Sequence, residues 1–159
     1  MARTHRYDAV ITWTGNLGTG TSDYRAYGRD HEVTGEGREA IAGSADKAFR
    51  GDPDRWNPEQ LLVCSLSQCH MLWYLHLASD VGVIVSGYVD RPVGTMLEEA
   101  DGTGQFVEVV LRPDVTIAEP AMVGRARELH ERAAELCYIA RSVAFPVRHE
   151  PTVTAGAPQ

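Results

Sequence analysis

Apolar residues along this chain fall first into short extended runs and then into helical spacing. Tyr7 to Trp13 carries the β-branched and aromatic content of a strand, and Gly15, Gly18 and Gly20 punctuate the segment after it. A second strand around Tyr24 to Val33 completes a hairpin. The stretch 35–56 is rich in Gly, Asp and Pro without periodicity, which predicts a long ordered loop over the surface. Asn57-Pro58-Glu59 is a helix start. Asn caps free amides, Pro suits the first turn, and the acid favours the positive end of the dipole. The helix runs to about Val81, and Gly82 ends it. Its apolar positions, from Leu61 through Leu66 and Trp73 to Leu77, cover nearly the whole circumference. Burial on most sides is implied, and a partner subunit is the natural supplier.

Val83 to Tyr88, Val93 to Glu98 and Phe106 to Ile117 read as strands of a meander, with a turn at Asp101-Gly102. Pro120 opens a second helix, in which Met122, Ala126, Leu129, Ala133, Leu136 and Ala140 recur at intervals of three and four and form one apolar face. Cys137 sits beside that face. A final strand, Val143 to Val153, is interrupted by Pro146 and Pro151 and belongs at a sheet edge. With no linker or repeat, the pattern predicts one α+β domain spanning 1–159.

Composition narrows the function. At 159 residues, with 43% hydrophobic and 23% charged, the chain has the balance of a globular protein. A formal net charge of −7 with scattered basic residues disfavours nucleic acid and anionic membrane surfaces. The amino-terminal residues lead into the first strand pattern without an apolar leader, so a cytoplasmic location is the expectation. In a reducing compartment, Cys64, Cys69 and Cys137 are expected to be free thiols rather than a disulfide framework.

Cys69 lies mid-helix among Leu66, Leu72 and Trp73. A lone cysteine there is an inert small hydrophobe. A second thiol changes the reading, because a thiolate in a dry pocket backed by another thiol can reduce an O–O bond and be regenerated. An apolar setting raises a thiol pKa, so a reactive Cys69 needs a compensating cation. Arginine held by a carboxylate suits that role. Glu59 is the candidate carboxylate, but ten residues of helix place it roughly 15 Å from Cys69, which excludes direct contact within the helix. Cys64 is about 140° around the helix from Cys69 and is read as core. His70 diverges from Cys69 by about 100°, and a zinc site from Cys69, His70, Cys137 and His149 lacks any characteristic spacing.

Asn57-Pro58-Glu59-Gln60-Leu61, Cys69 ten residues after the glutamate, and Cys137 in Glu135-Leu136-Cys137-Tyr138-Ile139-Ala140-Arg141-Ser142 together resemble the OsmC/Ohr family of organic hydroperoxide reductases. The resemblance spans roughly Tyr7 to Val153. It implies an OsmC-like intertwined α+β homodimer in which antiparallel curved sheets wrap around central helices. It also implies a thiol peroxidase without metal or organic cofactor. Cys69 would be the peroxide-attacking thiolate, Cys137 the resolving thiol, and Glu59 and Arg50 the activating pair, with Arg25 and Arg55 as further arginine candidates. One branch of the family takes its arginine from the first strand region, where this chain has Leu17. The implied partners are an organic hydroperoxide substrate and a lipoyl-type or small dithiol reductant. Trp73, Met71 and Leu72 would line the substrate pocket. Many relatives carry proline directly after the second cysteine, whereas Tyr138 follows here. That departure motivates the alternative of a stress-associated small-molecule binding protein with little or no peroxidase turnover.

Overall fold

The computed structural model describes residues 2–156. They form two compact units, one ending at Leu61 and the other beginning at Leu62. The first is a small antiparallel sheet in the order β1-β2-β3, from Val10–Trp13, His31–Thr34 and Ile41–Gly43. The hairpin of β1 and β2 matches the sequence reading, but its second strand begins seven residues later than Tyr24. Arg29 explains the delay. Its guanidinium lies 4.3 Å from the Tyr24 ring centroid and 4.1 Å from that of Tyr27, and it donates to both of their carbonyls. The segment is thereby folded back on itself and cannot extend as a strand. The stretch 35–56 is likewise more ordered than a loop. It contains β3 and a short 3₁₀ turn, Lys47–Phe49, whose first free amide is capped by Asp46.

Helix α1, Pro58–Asp80, begins where the sequence places it. Asn57 Oδ1 accepts from the Gln60 amide at 2.8 Å, and Gln60 Oε1 accepts from the Asn57 amide at 3.2 Å, a reciprocal capping box. Asn57→Ala should therefore cost about 1 kcal/mol of stability, read as a shift in urea midpoint at constant m-value. At the far end Gly82 adopts a φ of 75°, the left-handed conformation that stops the helix.

In the second unit, α1 contributes one buried stripe, Leu66, His70, Tyr74 and Ala78, spaced by four residues. The expectation of burial on most sides is not met within one copy of the chain, where Leu72 is 63% exposed. By length and composition alone α1 could cross a membrane, but its buried stripe closes a protein core.

Two three-stranded sheets accompany it. One has the order β4-β7-β9 (Val85–Asp90, Pro113–Ile117, Thr152–Ala155), the other β5-β6-β8 (Val93–Glu98, Gly104–Leu111, Val147–His149). The meander reading is thus corrected. The β4 strand pairs with β7 rather than with β5, and the long strand expected over 106–117 divides at Arg112. The Arg112 amide donates to the Asp90 carboxylate at 2.7 Å instead of to a ladder, and Pro113 has no amide hydrogen to offer. Each half then joins a different sheet. The single final strand expected over 143–153 is instead two, β8 and β9, in different sheets, and both lie at sheet edges as Pro146 and Pro151 suggest.

Helix α2, Val123–Leu136, follows a 3₁₀ turn over Pro120–Met122 and buries Ala126, Leu129, His130 and Ala133. Its apolar face meets Tyr74, Ala78, Val115, Ile117 and Val153 in one core cluster. Leu66, Val109 and Leu111 centre a second cluster. Ala140, read as helical, lies beyond the helix end in another 3₁₀ turn. Cys137 is the residue at which the helix stops, its φ and ψ of −65° and 107° turning the chain into extended backbone.

Candidate active site

The helix end places Cys137 where its backbone leaves α2, and the stripe geometry of α1 places Cys69 one position before the buried His70. These two thiols, 68 positions apart in the chain, lie close enough for Cys69 to raise the Cys137 thiol. Cys137 is 1% exposed, while Cys69 is half-buried. Burial pushes the Cys137 thiol up to about 11, opposed by the Ala140 amide that donates to its sulfur at 3.4 Å and reinforced by Cys69. The pair is therefore asymmetric. Cys137 stays protonated near neutral pH.

Cys69 opens into a groove of about 340 Å³, lined also by Leu72, Trp73, His76 and Tyr138. Trp73 meets Tyr138 edge to face with centroids 5.6 Å apart, and His76 at 5.8 Å, so aromatic rings form much of the wall. Met71, expected in this lining, is not part of it; Tyr138 and His76 take the place assigned to it. Cys64, read as core, is only half-buried.

The other predicted residues belong to the first unit. The Glu59 Oε2 atom is enclosed without a hydrogen-bond partner among the described residues, the condition of a carboxylate lacking its counter-ion. Arg50 is exposed, with a left-handed φ of 65° at the end of the 3₁₀ turn, and its guanidinium lies 5.9 Å from the Tyr24 ring centroid. Arg55 is engaged with Asp30 at 3.5 Å and Asp52 at 3.7 Å. Arg25 is exposed, its amide held by the Asp23 carboxylate. Of the three, only Arg55 has its guanidinium tied to carboxylates among the described residues; those of Arg50 and Arg25 are not.

Sequence reasoning missed His130. It lies on the buried face of α2, and its Nδ1 is 3.0 Å from Nε2 of His70, with the two rings stacked. His149 joins them, its ring centroid 5.5 Å from that of His70, and its Nε2 sits 3.3 Å from the Glu131 carboxylate. Histidines at apolar-face positions of both helices were the available signal. Among the described residues no group of three or more His, Cys, Asp or Glu side chains is placed to hold a metal ion.

Fold and site together define an α+β protein with a paired-thiol centre beneath an apolar groove. The family model described as OsmC-like protein matches residues 51–152, and the chain belongs to that family. An OsmC-like protein of unknown function from Vibrio cholerae shares 29% identity over 94% of this chain and 100% of its own, with a TM-score of 0.82. Organic hydroperoxide resistance proteins share the fold at lower identity. The one from Elizabethkingia anophelis is 16% identical over 98% of this chain and 100% of its own, with a TM-score of 0.68. Its counterpart from Bacillus subtilis is 18% identical over 93% and 98%, with a TM-score of 0.61. No curated protein matches the chain.

Proposed function

We propose that this protein reduces organic hydroperoxides to alcohols by thiol chemistry. One observation carries the reading: a half-buried thiol at an apolar groove with a second, buried and protonated thiol beside it. The Cys69 thiolate attacks the distal peroxide oxygen and the O–O bond breaks. The alkoxide takes a proton and leaves as the alcohol, and Cys69 becomes a sulfenic acid. Cys137 then condenses with it, forming the Cys69–Cys137 disulfide and releasing water. An external dithiol, of lipoyl or other small type, returns both thiols in a cytoplasmic, reducing setting.

Arg50 is assigned to the thiolate as its counter-charge and Glu59 to Arg50 as its carboxylate partner. The enclosed, unpartnered Glu59 oxygen supports that pairing, because such an atom calls for a donor. A homodimer suits the uncovered sides of α1, since an apolar helix with one buried stripe gains from a second copy of the chain. The Leu72, Trp73 and Tyr138 wall favours apolar peroxides over hydrogen peroxide.

Mass spectrometry after one equivalent of cumene hydroperoxide should locate a Cys69–Cys137 disulfide. Unmodified thiols after that treatment would instead leave the alternative, a binding protein of this fold with little or no turnover.

A further inference from the structure

Resting on that reading, we infer that the cavity walled by His70 and His149 is a proton exit for the resolving thiol, carrying to His149 the proton that Cys137 loses when the disulfide forms. Condensation is Cys69–SOH plus Cys137–SH giving the disulfide plus water. The S–S bond forms, the S–O bond breaks, and the Cys137 proton must leave its sulfur. Attack on the sulfenic sulfur is in line, so the departing hydroxyl lies on the far side of Cys69 from Cys137, toward the groove. The Cys137 proton has no direct path to it. A separate acceptor behind Cys137 completes the step, and the hydroxide takes its own proton from groove water.

The structure supplies such a place. Behind Cys137 lies a second cavity of about 30 Å³, walled by His70, His149, Arg148 and Ala140. A water molecule needs roughly 10–15 Å³ of such space, so the cavity admits one and offers it several polar partners. Nε2 of His70 is 3.0 Å from Nδ1 of His130, which leaves His70 Nδ1 without a hydrogen bond among the described residues. His70 and His130 are 1% and 0% exposed, so neither reaches solvent by itself. His149 supplies the way out, because its Nε2 lies 3.3 Å from Glu131, a carboxylate on the protein surface. Burial holds both inner imidazoles neutral near pH 7, so His70 serves as a hydrogen-bond partner of the cavity water, through which the proton passes to His149. His130 fixes the His70 ring through their mutual hydrogen bond and is a positioning residue.

Stopped-flow measurement separates the two chemical steps. Sulfenic acid on Cys69, trapped by dimedone in a Cys137→Ser protein, tests the peroxidase reading alone; its absence would sink that reading whatever the histidines do. In the otherwise native protein, His70→Gln and His149→Gln should each lower the ratio of condensation rate to oxidation rate at least tenfold. His149 is partly accessible at the unit's surface, so its variant guards against a folding failure of the His70 variant. A solvent deuterium isotope effect of about two or more on condensation should be present in the native protein and reduced in both variants. An unchanged ratio in His149→Gln, or the same isotope effect in native and variant proteins, would overturn the relay while leaving the peroxidase reading standing.

Discussion

Replacing Cys69 with serine should slow consumption of cumene hydroperoxide by at least about a thousandfold, the scale on which loss of a nucleophile acts and equivalent to about 4 kcal/mol of barrier. Oxygen in place of sulfur removes the ionised, polarisable nucleophile and leaves groove and fold nearly unchanged in volume. Cys137→Ser should behave differently. Cys69 is retained, so the first turnover should survive, while later turnovers driven by a dithiol should fail because the protein disulfide cannot form. Peroxide consumption followed by stopped flow, with and without excess dithiol, resolves the two patterns. Equal rates in native protein and Cys69→Ser would end the peroxidase assignment.

Stability should fall steeply on mild acidification, and the paired histidines supply the reason. Burial, with the charge of His149 second, lowers His70 to about 4; burial, with His70 and His149 next, lowers His130 to about 3. Both rings regain a value near 6.5 when the chain unfolds. Below that pH the unfolded chain binds protons that the folded chain refuses, so stability drops as pH falls. The loss begins near pH 6.5 and continues until His70 protonates in the folded state near pH 4. At 1.36 kcal/mol per unit, the decline reaches roughly 3 kcal/mol for each histidine by pH 4. Urea midpoints measured from pH 7 to 4 should show it, and His130→Gln should flatten the curve by about half. A native midpoint independent of pH over that range, or a variant with the native slope, would contradict this account.

The elements legible in the sequence are those whose cause is local. The Asn57 and Gln60 exchange of hydrogen bonds, the stop at Gly82, the turn at Asp101-Gly102 and the edge character of the proline-flanked strands all depend on residues within a few positions of one another. The third strand, Ile41–Gly43, escaped notice because three residues carry no periodicity and are ordered by pairing with His31–Val33. The division at Arg112 was equally hidden, since it depends on a carboxylate 22 positions earlier. For the site, motif resemblance pointed to Cys69, Cys137, Glu59 and Arg50 before any geometry was available. His130 carried no such label, because a histidine on an apolar helix face has the same sequence pattern whether or not another imidazole faces it.

What the sequence determined by itself was the start of α1 and its stop at Gly82, the apolar face of α2, several of the strands and the family pattern of its thiols. All of these arise from short-range sterics, capping and side-chain spacing. Only the tertiary structure decided that the Cys69 and Cys137 sulfurs adjoin, that one of them is sealed from water, and that three histidines drawn from α1, α2 and β8 gather behind it. Proximity across 60 or more residues is produced by how helices and sheets pack against a common core, and no local rule of spacing encodes it.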